Sequence, residues 1–313
     1  MKKSIRLGTR GSPLALIQAE EIRRRLLAAH PHLGEEADID IVPIRTTGDW
    51  RPEHKDRRFI EMGGNKGLFT KEIEEALLTG HIDMAVHSMK DVASVMPQGL
   101  AIATVTERND PRDAFVGRVA HTLDELPQGA TVGTSSLRRQ AQLLAQRPDL
   151  RVVPLRGNVE TRLKKLEDGL ADATLLAVAG MARLDVAGRI SSILPTSLML
   201  PAAAQGALGV EIRADDEEVR GLLAALTHEA SSVCVTAERA VMRAIEGSCH
   251  TPAGAYAVMT GPGQFSIEAL VARADGTSLL RLSASGAAAD ADAIGAQLGM
   301  ELRGRSPADI FAA

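Results

Sequence analysis

Two hydrophobic periods take turns along this chain. Ile5 and Leu7 alternate with polar neighbours, which predicts a short strand. Ser12 then fits a helix N-cap with Pro13 at the first helical position, and Ala15, Ala19, Ile22, Leu26 and Ala29 follow at helical spacing. Ile39 to Thr46 predicts a second strand, and Thr70 to Leu78 a helix closed by Gly80. Ile82 to Val86 predicts a buried strand that runs into the polar stretch His87-Ser88-Met89-Lys90-Asp91, and Leu100 to Val105 another strand.

The pattern restarts in the middle of the chain. Thr131 to Gly133 predicts a strand, Ser135 or Ser136 caps a helix through Arg138 to Ala145, and Val152-Val153 forms a strand running into Leu155-Arg156-Gly157-Asn158. A helix from Val159 to Leu166 and a strand from Thr174 to Val178, ended by Ala179-Gly180, complete this part. Leu7-Gly8-Thr9 before Gly11-Ser12 resembles Val132-Gly133-Thr134 before Ser135-Ser136, each a strand, a small polar turn and a helix N-terminus. Two βα lobes built this way and facing each other would make a cleft, and helix N-termini pointing into it would favour anions.

The last third changes character. A long helical pattern from Glu229 to Ile245 leads into the loop from Gly247 to Gly254. Strands are predicted for Ala255 to Met259, Phe265 to Arg273 and Ser278 to Ser285, with Asp275-Gly276 as a hairpin signal between the last two. A helix from about Ala289 to Leu302 ends a small α+β domain.

Composition narrows the possible functions. The net charge of −4 argues against general nucleic-acid binding. Aromatics make up 2% of residues, too few for a base-stacking platform. No apolar run approaches the roughly 20 residues of a membrane helix. Lys2 and Lys3 open the chain, but the apolar run behind them is short and broken by Glu20, Glu21 and Arg23, so no secretory signal is expected. Cys234 and Cys249 are therefore expected to stay reduced in the cytoplasm. With no CxxC, no HExxH and no His/Cys cluster, no metal site is expected.

Charge distribution says more than its sum. Between Thr131 and Lys165 stand Arg138, Arg139, Arg147, Arg151, Arg156, Arg162, Lys164 and Lys165, opposed only by Asp149 and Glu160. Arg138 and Arg139 sit near the positive end of their predicted helix, an unfavourable place unless an anion binds there, and Arg10 just before the Ser12 cap fits the same kind of site. Salt-bridged surface is the bland alternative, weakened for the group by the lack of local carboxylates. Asp91 follows a buried strand, where open α/β sheets gather ligand sites; beside Lys90 it would stay ionised and could stabilise a positive charge or exchange protons. A lone cysteine is usually a small buried hydrophobe, which suits Cys234 in its helix. Cys249 lies in a Gly/Ser/Pro loop, where a thiolate can serve as nucleophile or attachment point. Gly63-Gly64-Asn65-Lys66-Gly67 lacks Walker A spacing, and 49–66 reads as a mobile loop, a candidate lid.

Several segments together resemble the porphobilinogen deaminase family: Thr9-Arg10-Gly11-Ser12-Pro13-Leu14-Ala15, Lys66-Gly67-Leu68-Phe69, Ala85 through Asp91, Asp110-Pro111-Arg112-Asp113, Val132 through Arg139, Leu155 through Val159 with Thr161-Arg162, Gln205-Gly206, and Cys249-His250-Thr251-Pro252. They run in order through nearly the whole chain. The resemblance implies an α/β fold of two doubly wound, periplasmic-binding-protein-like lobes, 1–106 with 207–224 and 107–206, and a small α+β C-terminal domain, 229–313, with a three-stranded antiparallel sheet.

It also implies a dipyrromethane cofactor joined by a thioether to Cys249, onto which four porphobilinogen molecules are condensed head to tail with loss of ammonia before hydroxymethylbilane is released. Asp91 would be the catalytic carboxylate. Lys90, Asp91, Thr134, Ser136, Arg138, Arg139 and Arg156 would hold the cofactor, and Arg10, Ser12, Arg162, Arg183 and Gln205 the substrate. Gln205 would also be a hinge contact. The implied protein is a cytoplasmic monomer with a small-molecule substrate and neither nucleic-acid nor membrane partners. The chain departs from the usual pattern at Ser248, Ala253, Met62 and the length of the Asp49 to Gly64 loop. Two rivals remain on sequence grounds: a two-lobed solute-binding protein, which leaves Cys249 without a role, and a cysteine hydrolase using Cys249 with His250, for which no family signature is present.

Overall fold

The structure, a computed structural model, describes residues 4–31, 33, 38–46, 70–246 and 251–311. Cys249 and its loop at 247–250, the 49–66 loop and the Lys66-Gly67-Leu68-Phe69 motif lie outside the described residues. The described residues form two compact units, 4–109 with 207–232 and 110–206 with 233–311.

The first unit is a five-stranded sheet of β1 (Ser4–Arg10), β2 (Asp38–Ile44), β3 (Met84–Ser88), β4 (Leu100–Val105) and, from much later in the chain, β10 (Leu208–Arg213). Its order is β2-β1-β3-β10-β4. β1 is parallel to β2 and β3, whereas β10 runs antiparallel to both its neighbours. Alternation along the strands sorts side chains to two faces. Ile5, Leu7, Met84, Val86, Leu208, Val210 and Ile212 face helix α1 (Pro13–Ala29), together with Val219 and Leu223 of a helix at Glu217–Ala224. Ala85 and Leu100 face Ile73 and Leu77 of helix α2 (Lys71–Leu78).

The second unit contains a sheet of the same plan. Strands β5 (Asp113–Gly117), β6 (Thr131–Gly133), β7 (Arg151–Val153), β8 (Ala173–Ala177) and β9 (Ser192–Ile193) lie in the order β7-β6-β8-β5-β9. β6 is parallel to β7 and β8, and β5 is antiparallel to β8 and β9. Position by position, β6 matches β1, and β5 matches β10, so the echo between Leu7-Gly8-Thr9 and Val132-Gly133-Thr134 falls on equivalent strands. Helix α3 (Leu137–Gln146) packs Leu143 on the face holding Phe115, Val132 and Leu175. Helices α4 (Val159–Glu167) and α5 (Val178–Arg183) cover the face holding Ala114, Val116 and Leu176.

The C-terminal part of this unit is an antiparallel sheet of β11 (Ala253–Gly261), β12 (Gln264–Ala272) and β13 (Leu279–Ala287), ordered as in the chain. With α6 assigned to Glu217–Ala224, the long helix at Glu229–Ala244 is α7 and the last, Ala291–Arg305, is α8. Both pack on the face formed by Ala255, Ala257, Phe265, Ile267, Ala269 and Val271. They cross closely because Gly295 and Gly299 have no side chain: a Cβ on Gly295 would lie 2.2 Å from the Ala237 carbonyl oxygen. The opposite face of β12 presents Leu270 and Ala272 to Ala141 of α3 and to Leu200. Cys234 is buried within the α7 packing layer, as its helical position predicted. An α/β fold of two lobes with a three-stranded antiparallel C-terminal sheet is thus present.

The structure corrects the element pattern in several places. β5, β9 and β10 have no counterpart among the predicted strands, and α6 none among the predicted helices. The stretch expected to end at Ala179-Gly180 continues without a loop into α5, and Gly180 lies inside that helix. The strand expected from Ile82 starts at Met84.

Candidate active site

In the first unit, the polar residues gather where the parallel strands end. β1 delivers Arg10, and Ser12 caps α1 by accepting a hydrogen bond from the Ala15 N–H at 3.3 Å. β3 delivers His87 and Ser88, and a 3-10 turn at Met89–Asp91 follows at once. Arg10, Ser12, Gln18, Thr70, His87, Ser88 and Asp91 line one pocket of about 400 Å³, its open mouth included. Asp91 is half-buried there and has no hydrogen-bond partner among the described residues. Lys90, in the same turn, is exposed and is not part of the lining.

Three residues of this pocket were invisible to sequence reasoning. Gln18 donates from Nε2 to Ser88 Oγ at 2.8 Å, tying α1 to the end of β3. His87 Nε2 lies 2.9 Å from Glu211 Oε2, with both side chains almost fully buried. Thr70 N-caps α2, and the Glu74 carboxyl behind it is pushed up by burial, with Glu211 adding to the rise and His87 opposing it. The available signal for the His87–Glu211 pair was polar residues at inward-facing strand positions, but their separation of 124 residues hid the partnership.

In the second unit, the arginines meet a carboxylate of the protein itself. Asp113 opens β5 and is fully buried. Arg139 donates to Asp113 Oδ1 through Nη2 at 2.6 Å and Nε at 3.2 Å, and Arg138 Nη2 lies 2.8 Å from Oδ2. Burial works against the Asp113 charge, but the two guanidiniums outweigh it and hold the carboxyl well below the usual carboxylate range. The expectation that Arg138 and Arg139 lack a carboxylate is therefore corrected: the partner lies outside the 131–165 stretch. The other contacts are to carbonyls, Arg138 Nη1 to Leu200 at 2.6 Å and Arg139 Nη1 to Leu175 at 2.8 Å.

The remaining predicted residues lie in the same unit. Gln205 is buried and donates to the Pro111 carbonyl at 2.6 Å and to Asp113 Oδ1 at 3.0 Å, clasping the segment that enters this unit to the one that leaves it. Arg183, at the end of α5, donates to the Gly206 carbonyl at 3.3 Å. Thr134 and Ser136 form the turn after β6, where Thr134 Oγ1 accepts the Ser136 N–H and Ser136 caps α3 by accepting the Arg139 N–H. Arg156 and Arg162 bracket the loop after β7: Lys165 donates to the Arg156 carbonyl, and Arg162 Nε donates to the Gly157 carbonyl at 2.8 Å. Arg138, Arg139 and Gln205 thus converge on Asp113, and Arg183 reaches the neighbouring Gly206 carbonyl, whereas these bonds of Arg156 and Arg162 stay within their own loop and helix.

This donor set fits a ligand bearing several carboxylates. Two guanidiniums against one carboxylate leave a single net positive charge, and each Nη nitrogen carries a second hydrogen to donate. Ser136 marks a helix N-terminus at the same turn, whose N–H groups favour anions.

Two α/β lobes, a carboxylate pocket at the strand ends and an ordered guanidinium pair define an enzyme of anionic substrates. Residues 5–221 match the family described as porphobilinogen deaminase, dipyromethane cofactor binding domain, and residues 232–304 match porphobilinogen deaminase, C-terminal domain. The chain belongs to the porphobilinogen deaminase family. It is 52% identical over 308 residues to the porphobilinogen deaminase of Paracoccus denitrificans, covering 98% of this chain and 96% of that protein. It is 50% identical over 296 residues to the porphobilinogen deaminase of Chromobacterium violaceum, covering 95% and 93%. Among solved structures, a TRAP periplasmic solute binding protein from Desulfovibrio salexigens is similar with a TM-score of 0.45 and 11% identity, covering 74% of each chain. A periplasmic substrate-binding protein of an ABC transporter from Coxiella burnetii is similar with a TM-score of 0.43 and 14% identity, covering 71% of this chain and 91% of the other. The activity is that of the family, a transferase that condenses porphobilinogen in tetrapyrrole synthesis and carries the dipyrromethane-binding domain.

Proposed function

We propose that Asp91 is the catalytic carboxylate of this reaction and that Cys249 holds the dipyrromethane group through a thioether. The observation that carries the assignment is the shared pocket: Asp91, Arg10 and Ser12 line one cavity at the ends of β1 and β3. The dipyrromethane group supplies the pyrrole carbon to which incoming units are joined. Asp91 accepts the pyrrole N–H groups and stabilises the positive charge that develops on the substrate methylene as ammonia departs. Arg10, Ser12, Arg162, Arg183 and Gln205 hold the acid arms of the substrate. Lys90, Thr134, Ser136, Arg138, Arg139 and Arg156 hold those of the cofactor.

The arginines answer an electrostatic need. Each pyrrole brings two carboxylates, and two like charges 4 Å apart repel by about 4 kcal/mol at an effective dielectric near 20. Paired guanidiniums keep successive additions from becoming steadily harder.

The same proposal takes 1–106 with 207–224, 107–206 and 229–313 as three domains of a cytoplasmic monomer that binds neither nucleic acid nor membrane. A net charge of −4 disfavours general nucleic-acid binding; no described helix is long and apolar enough to cross a membrane.

Two measurements test the assignments. Asp91→Asn is expected to keep the unfolding midpoint and lower kcat by at least about 100-fold; a normal rate removes Asp91 from its role. Intact mass after expression with substrate should show the added dipyrromethane on the wild type and none on Cys249→Ala. An adduct on the variant assigns the thioether elsewhere.

A further inference from the structure

One addition consumes no net proton, but it moves one. The substrate aminomethyl group, entering as the ammonium, leaves as ammonia when its carbon–nitrogen bond breaks. The new carbon–carbon bond then expels a proton from the attacked pyrrole carbon, and that proton and the ammonia depart together as ammonium. The proton appears only after the new bond has formed, and a group in the pocket must then take it from the pyrrole carbon and hand it on. A protonated Asp91 cannot stabilise the next developing cation, so it must lose that proton before each further addition.

The structure places a second acid–base pair in the same pocket. His87 lines it with Asp91 and is held from behind by Glu211 at 2.9 Å, across β3 and β10. Glu211 has no exposure, and its Oε1 has no hydrogen-bond partner. The charged or titratable groups facing this pair are Glu74 from α2, and Asp91 and Arg10 along the pocket wall. Stability does not explain the arrangement, because buried ion pairs are often replaced by apolar residues without loss. A histidine held by a buried carboxylate beside a reactive pocket has the geometry of a proton carrier.

We propose that His87, positioned by Glu211, is the proton relay of this site. It takes the proton that the pyrrole carbon gives to Asp91, restores Asp91 as an anion and passes the proton to the departing ammonia. The inference rests on the assignment of Asp91 above. Glu211 acts through His87 and is a positioning residue.

The test separates the first addition from those that follow. Holoenzyme is mixed with one equivalent of porphobilinogen and then with excess, and the enzyme-bound species are followed by intact mass. In His87→Gln, the first pyrrole should add at close to the wild-type rate, since Asp91 can keep one proton. Steady turnover should fall about 100-fold with little change in KM. Glu211→Gln should give the same separation with a loss of about 10-fold, and, because either substitution can lower the unfolding midpoint of this buried pair, turnover is read at a temperature where both variants are folded. Normal turnover in either variant overturns the relay, as does equal slowing of first and later additions or a loss that tracks a lowered midpoint. Asp91→Asn run alongside should fail at the first addition. Rapid first addition in Asp91→Asn sinks the Asp91 assignment, whereas normal turnover in His87→Gln beside an inactive Asp91→Asn sinks the relay alone.

Discussion

Asp113 holds two guanidiniums in place with one carboxylate, and the three charges stand or fall together. Removing its charge leaves Arg138 and Arg139, each about 5% exposed, as like charges facing each other in the interior. Breaking a buried pair from one side typically costs about 3–5 kcal/mol, so Asp113→Asn is expected to lose about that much in denaturant unfolding at pH 7. The pH dependence has a definite sign. The folded-state value of Asp113 is depressed, so its contribution is complete above the unfolded value of about 4 and is lost as pH falls towards the folded one. The gap between wild type and Asp113→Asn should therefore narrow below about pH 4, and a gap that widens in acid would contradict the pairing. Glu74 has the opposite sense: its raised folded value means that stability is lost as pH rises through it. At this scale the sequence exposed the arginines through their excess over local acids. It hid Asp113, which pairs across 26 residues from an Asp-Pro-Arg-Asp segment that looks like an ordinary turn.

Elements were legible where one face of a strand or helix meets a core and the other does not. α1 shows this: Ser12 caps it, Pro13 starts it, and Ala15, Ala19, Ile22 and Leu26 form its buried side. The Asp275-Gly276 signal likewise marks the turn between β12 and β13, where Gly276 has a φ of +76° and Asp275 accepts the Thr277 N–H. Three strands were missed: the two-residue β9, and β5 and β10, which hold the equivalent fourth place in their sheets. β5 is buried on both faces, with Ala114 and Val116 on one and Phe115 on the other, so it shows no alternation and is too short to stand out as an apolar run. β10 alternates Leu208, Val210 and Ile212 with Gly209 and Glu211, the period of a strand with one polar face, yet Glu211 is fully buried. That carboxylate makes sense only once His87 of β3 is known to lie 2.9 Å away. α5 was missed because nothing separates it from β8: Ala177 ends the strand and serves as the helix N-cap without a side-chain cap bond.

At the scale of the whole chain, the residues of the second lobe and the C-terminal sheet form one compact unit, a grouping that periodicity alone does not reveal. The reason lies in α3, which has two masters. One side places Leu143 in the lobe core, while the other places Ala141 against Leu200, Leu270 and Ala272. Polar contacts follow the same seam. Gln140 donates to the Ala274 carbonyl at 3.0 Å, and Arg281 donates to the carbonyls of Ser197 and Thr196 at 2.9 and 3.1 Å. The helix that carries Arg138 and Arg139 is therefore braced from the C-terminal side. Leu270→Ala, at a site 1% exposed, should cost about 2–5 kcal/mol through lost burial and the cavity it leaves. If the two layers are one cooperative unit, hydrogen exchange should quicken together in 137–146 and 264–272, because both open in the same transition. Faster exchange confined to 264–272 would instead mean that the sheet opens alone, and that the guanidinium pair keeps its geometry without the C-terminal layer.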